Sequence, residues 1–117
     1  MRLAAVCALL LVPVQAERSG YAAYYTTPGL MEAIARKRGI EHPHPIASPY
    51  DGIGTRLRVC SRRGCINAVV ADVCHPRDCA RIRRRGIVVE LSYRDNGRLC
   101  PRYNHPPKDC RVTVTRR

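Results

Sequence analysis

The sequence predicts a small, mostly β barrel, stabilised by disulfides and carrying one or two short helices. Three observations lead there. Short segments alternate apolar and polar residues at the two-residue period of strands, turn residues separate them, and six cysteines sit where local bridges would clamp the loops. About five or six short strands in roughly 100 residues bury their apolar faces most readily by closing on themselves.

The segment 1–16, "MRLAAVCALLLVPVQA", has an early Arg2, an apolar run from Leu3 to Val14 and a small-residue end at Ala16. It reads as a secretory signal peptide, leaving residues 17–117 as one domain of a secreted, released protein. Glu17 and Arg18 end the apolar run too early for the roughly 20 residues that span a bilayer. Cys7 lies inside that run, where a lipobox would need it just after the cleavage point.

"YAAYYTT", Tyr21 to Thr27, is rich in β-formers between Gly20 and Pro28 and reads as the opening strand. "PGLMEAIARKRG" follows as a short helix with Met31, Ile34 and Ala35 on one face. Its basic residues cluster in the last turn, and Gly39 stands at C′. "IEHPHPIASPYDGIG" is mostly loop with a brief strand near Ile46; its His42 and His44 fit an exposed loop better than a metal site. "TRLRVC" alternates Leu57 and Val59 with Arg56 and Arg58, "SRRG" turns, and "CINAVVADV" returns with Val69 and Val70 both apolar, as in a strand buried on two faces. "GIVVELSY" is a further strand. "YRDNGRLCPRYNHPPKDC" reads as a turn-rich excursion, and "RVTVT" as the last strand.

Without Cys7 of the segment 1–16, six of the seven cysteines remain, an even number that in an oxidising compartment favours three disulfides. Spacing favours Cys60 with Cys65, Cys74 with Cys79 and Cys100 with Cys110, among fifteen pairings that six cysteines permit. Zinc is disfavoured because no C-x2-C pair occurs. No metal or other cofactor is implied.

A formal net charge of +12 attracts polyanions. For an exported protein these are anionic wall polymers, acidic glycans or membrane surfaces, and not nucleic acid. "RIRRRG", Arg81 to Gly86, reads either as a solvated basic face or as a binding patch. A cationic protein acting on membranes is disfavoured by the lack of a strongly amphipathic basic helix beyond the one near Met31.

The order "GYAAYY", "GTRLRV", "VVADVC", "GIVVELS" resembles the rare lipoprotein A-like family. Its six-stranded double-psi β-barrel is shared with the first domain of expansins, barwin-like proteins and family 45 endoglucanases. The resemblance covers nearly all of residues 17–117. It implies that Asp72 matches the acid with which such barrels cleave polysaccharides, in particular as the acid/base of a peptidoglycan lytic transglycosylase. Tyr24 and Tyr25 resemble the family's groove tyrosines. The Arg-Gly-Pro that commonly follows the aspartate is replaced here by Val73, Cys74, His75 and Pro76, and the later Asp-Leu-Ser by Glu90, Leu91 and Ser92.

Apolar neighbours such as Val70 and Val73 favour the protonated carboxyl that a general acid needs; the cations Arg77 and Arg81 oppose it and are candidate contacts for an anionic polymer. Hydrolysis would need a second carboxylate, for which Asp51 and Asp78 are the candidates. Glu90 is expected to be structural. The bland alternatives are that Asp72 caps the Cys74–Cys79 loop, that the tyrosines are core, and that the protein is a non-catalytic module binding a wall polymer or a protein partner.

Overall fold

A computed structural model describes residues 17–101 and 105–117; the expected signal peptide lies outside them. The chain forms a closed barrel of six strands: β1 (Glu17–Tyr24), β2 (Pro45–Ser48), β3 (Arg56–Ser61), β4 (Gly64–Val73), β5 (Ile87–Leu91) and β6 (Arg111–Arg116). Around the barrel they run β1-β5-β2-β4-β3-β6. The sheet is mixed: β1 with β5 and β2 with β4 pair in parallel, and the other neighbours are antiparallel. Parallel neighbours require crossover connections; the one from β1 to β5 contains two of the helices, and the one from β2 to β4 runs through β3.

The helices are α1 (Leu30–Lys37), α2 (Pro76–Arg84) and α3 (Tyr93–Leu99), with a 3-10 turn at Pro107–Asp109. Three α-helices are thus present among the described residues where one or two were expected. The addition is α3, inside the segment read as turn-rich. Its Asn96-Gly97 pair looks like a turn, but Ser92 Oγ accepts the N–H of Asp95 at 3.0 Å and caps a helix instead. The same cap ends β5 at Leu91, short of Tyr93. The opening strand also differs, running Glu17–Tyr24 instead of Tyr21–Thr27, because its polar start pairs with β6 from Glu17 opposite Thr115.

Inside the barrel the alternation is as read from the sequence. Leu57 and Val59 of β3, Ile66, Ala68 and Val70 of β4, Val89 and Leu91 of β5, and Val112 and Val114 of β6 form one buried cluster with Ala22 and Ile46. α1 packs outside, on β4 and β2, burying Met31 and Ala35. Gly39, at φ 72°, ends it: the Ile40 N–H reaches back to the Ala35 carbonyl at 2.9 Å, a Schellman closure that only a residue at ease with positive φ allows.

The three cysteine pairs are those expected from spacing, with Cα–Cα distances of 4.0 Å for Cys60–Cys65, 5.3 Å for Cys74–Cys79 and 5.2 Å for Cys100–Cys110. The first staples the β3–β4 hairpin, the second ties α2 to the end of β4, and the third closes the loop before β6. By the loop-entropy account each contributes about 2–3 kcal/mol.

Gly20 is buried where β1 meets β5, and a Cβ there would stand 2.5 Å from the Gly86 carbonyl oxygen and 2.7 Å from Val88 Cγ1. Gly20→Ala is therefore expected to destabilise the barrel by about 1–3 kcal/mol. Urea unfolding followed by circular dichroism checks this; an unchanged midpoint would show that β1 can shift away from β5.

Candidate functional site

The sheet register builds the site. Asp72 of β4 pairs with Ala47 of β2, and Ala47 pairs with Glu90 of β5, which in turn pairs with Ala23 of β1. Residues paired across strands project to the same face. Two carboxylates therefore flank one small side chain, with their strands two inter-strand spacings apart, about 9.5 Å. Alanine at 47 and 23 leaves the space between and beside them low.

Asp72 is enclosed but reachable, its side chain 18% exposed. Tyr25, just beyond β1, donates its hydroxyl to Asp72 Oδ2 at 2.6 Å, while Oδ1 accepts from Arg38 Nη2 at 3.3 Å and from the Val73 N–H at 3.0 Å. Among the described residues, the hydrogen-bond partners of Asp72 are thus all donors. Arg38 arrives because the α1 closure at Gly39 leaves the basic end of that helix over β4. Burial, then the hydrogen bond to Asp72, raise the Tyr25 phenol above its usual range. Burial, and secondarily the charge of Asp72, raise the Glu90 carboxyl above the ordinary glutamate range.

The other residues singled out from the sequence lie as follows. Tyr24 turns to the opposite side from Tyr25 and packs against the core, its ring 5.4 Å from His105 and 6.5 Å from Tyr93. Asp51 is buried in an ion pair with Arg18 at 2.7 Å, with Arg116 at 3.5 Å and Ser48 Oγ at 3.4 Å. It lies in the wall of a 320 Å³ cavity with Tyr50, Val73 and Arg83, one register step beyond the Ala47–Asp72 pair. Asp78 pairs with Arg81 on the surface of α2 at 2.9 Å, and Arg77 is exposed in the first turn of that helix.

Several expectations are corrected here. The cation at Asp72 is Arg38 and not Arg77 or Arg81, because α2 turns away from the end of β4 after the Cys74–Cys79 bridge. The carboxylate sharing a face with Asp72 is Glu90, where Asp51 and Asp78 were the candidates. Sequence distance hides this: the insertion of β2 between β4 and β5, parallel to the first and antiparallel to the second, aligns the two. Nor does Asp72 cap the cysteine loop, since the N-cap of α2 is His75, whose Nδ1 accepts the Arg77 N–H at 3.3 Å.

His44, expected on an exposed loop, instead clamps α3 to the start of β2. Its Nδ1 lies 3.0 and 3.1 Å from the two carboxylate oxygens of the fully buried Asp95. Among the described residues, the His/Cys group compact enough to hold a metal is Cys100, His105 and Cys110, and its two sulfurs are joined as a disulfide. No helix among the described residues is long and apolar enough to cross a membrane. Comparison with protein families, with curated proteins and with solved structures returned no match.

Because the folded protein binds the Glu90 proton more tightly than the unfolded chain does, stability falls as pH rises from the ordinary glutamate range through the raised folded value. Glu90→Gln removes that loss. The variant is expected to be more stable than wild type at about pH 7 and to lose the advantage near pH 4. Thermal melts across that range test it; equal pH dependence in both proteins would refute the coupling. Removing the partner of buried Asp95 by His44→Ala is expected to cost about 1–3 kcal/mol in urea unfolding. An unchanged midpoint would mean that the pair does not hold α3.

Proposed function

We propose that the protein is secreted and acts on a cell-wall glycan, with Asp72 as the acid/base group of a peptidoglycan lytic transglycosylase. The observation that carries this reading is the Asp72–Ala47–Glu90 row: two carboxylates in unlike surroundings on one face, one of them hydrogen-bonded to a half-buried tyrosine. Such a pair divides proton donation and acceptance between its members.

Burial, and then the charge of Asp72, make ionisation of Glu90 more costly, so Glu90 keeps its proton to higher pH than an exposed glutamate would. In glycosidic cleavage that proton passes to the bridging oxygen and the C1–O bond breaks. The carboxylate left behind takes a proton from the nucleophile. In a lytic reaction the nucleophile is a hydroxyl of the same sugar, which closes an anhydro ring; in hydrolysis it is water. Tyr25, 2.6 Å from Asp72 Oδ2, orients the carboxylate for either step.

A non-catalytic glycan-binding module is the second reading. It is favoured by the absence of Asp72 and Glu90 from the walls of both the 320 Å³ cavity and a larger one of 620 Å³, and by the charge of +12.

Incubating wild type and Asp72→Asn with peptidoglycan and analysing the products by mass spectrometry separates the readings. Anhydromuropeptides are expected from wild type, with a loss of about 100-fold or more in the variant. Products with free reducing ends would identify a hydrolase. If neither protein yields a product, and both bind with affinity that falls steeply with salt, the binding module stands and the enzyme does not.

A further inference from the structure

A basic concavity lies at the other end of β4 from Asp72. It is a 620 Å³ cavity whose wall includes Arg62 and Arg63 from the β3–β4 hairpin, Arg111 from the start of β6, Leu99, Pro101 and Asp109. Asp72 is eight residues along β4 from Gly64, the hairpin residue next to Arg63, which places the cavity about 25 Å away at the usual strand rise. It is a separate site.

Two of its guanidinium groups are already held. Arg63 donates to the Cys100 carbonyl, and Arg111 lies over the Tyr21 ring at 5.5 Å. A guanidinium has five N–H donors, so one such bond leaves Arg63 most of its capacity. Arg62 is exposed and makes no hydrogen bond or ion pair among the described residues. Among the described lining residues, three arginines stand against one carboxylate, that of Asp109, a local excess of positive charge. Between the arginines the exposed Pro101, backed by the buried Leu99 and the Cys110 end of a disulfide, supplies an apolar floor. The volume falls in the range of small-molecule sites, which combine such floors with a few placed polar groups.

We infer that this cavity is a binding site for an anionic saccharide unit, a sugar carrying a phosphate, sulfate or carboxylate group. The oxyanion is taken by Arg62 and Arg111, and the sugar ring rests on the Pro101 floor. Restraint of Arg63 and Arg111 before binding lowers the ordering cost, and planar guanidinium groups match the oxyanion by paired hydrogen bonds. The site does not depend on cleavage chemistry at Asp72. It would let the protein hold a charged glycan at a point remote from the carboxylate pair.

The test is a titration of the isotope-labelled protein with glucose 6-phosphate, followed by amide chemical shifts, with glucose and inorganic phosphate as controls. Saturable shifts are expected at Ser61–Arg63, Leu99 and Arg111. Arg62→Ala combined with Arg111→Ala should weaken binding by about tenfold or more, the scale of lost charge-assisted hydrogen bonds. Arg84→Ala with Arg85→Ala removes the same charge from the exposed C-terminal end of α2 and its cap, and should change affinity less than about twofold. Asp72→Asn should bind as wild type does, so that loss of cleavage and loss of this site are separable. Equal weakening by both double variants, or shifts centred on α2, would overturn the site. Inorganic phosphate binding as tightly as glucose 6-phosphate would overturn its assignment to a saccharide.

Discussion

The barrel closes through β2. This strand has four residues, Pro45 to Ser48, all buried, and it stands between β4 and β5 with a parallel neighbour on one side and an antiparallel neighbour on the other. Only small side chains permit that position, because Ile46 fills the interior while Ala47 must fit between two occupied strands on the outer face. Both ends of β2 are held by polar clamps. His44 grips Asp95 of α3 before the strand, and Ser48 Oγ accepts the N–H groups of Tyr50 and Asp51 after it. Without β2, Asp72 and Glu90 would belong to strands with no neighbour in common.

The core around this strand is built of Val, Ile, Leu and Ala, since the chain has no Phe and no Trp. A barrel of this size buries a smaller share of its surface than a larger domain, so covalent staples matter in proportion. The disulfides lie at positions where the barrel passes into loops or helices: the β3–β4 hairpin, the β4–α2 junction and the approach to β6. They restrain the connections, while the hydrophobic cluster holds the strands. α2 shows the division clearly, because none of its residues is buried and the Cys74–Cys79 bridge anchors its first turn.

Charge is distributed unevenly. Asp51, Asp72, Asp78 and Asp95 each have a basic or histidine partner, from Arg18, Arg38, Arg81 and His44 respectively. The exposed pair on α2 adds little to stability. With 21 basic residues against 9 acidic ones, most of the remaining arginines face solvent, on α2, at the β3–β4 hairpin and along β6. Their field reaches about a Debye length in physiological salt, far enough to gather an anionic polymer without choosing its orientation. Orientation has to come from places where cations are restrained by the fold, at Arg38 beside Asp72 and at Arg63 and Arg111 around the hairpin cavity.

Residue patterning alone determined that the chain would be a small disulfide-bonded β-barrel, and it placed β3, β4, β5 and β6, α1 with its glycine end and the three local cysteine pairs. These features follow from neighbours in sequence: alternation, turn residues and short cysteine spacings. It also marked Asp72 as the end of an apolar strand. α3 was not legible, because its Asn-Gly pair has the composition of a turn and a single serine cap tips it into a helix. The partners of Asp72 were not legible either. Tyr25, Arg38 and Glu90 lie 47, 34 and 18 positions away in the chain, and no local periodicity links such distances. Tertiary structure decided which carboxylate faces Asp72, which of two adjacent tyrosines reaches it and which arginine offsets its charge. The physical reason is non-local packing: pairing across β1, β5, β2 and β4 sets the register that puts Tyr25 and Glu90 on the face of Asp72, and the docking of α1 on β4 brings Arg38 to it.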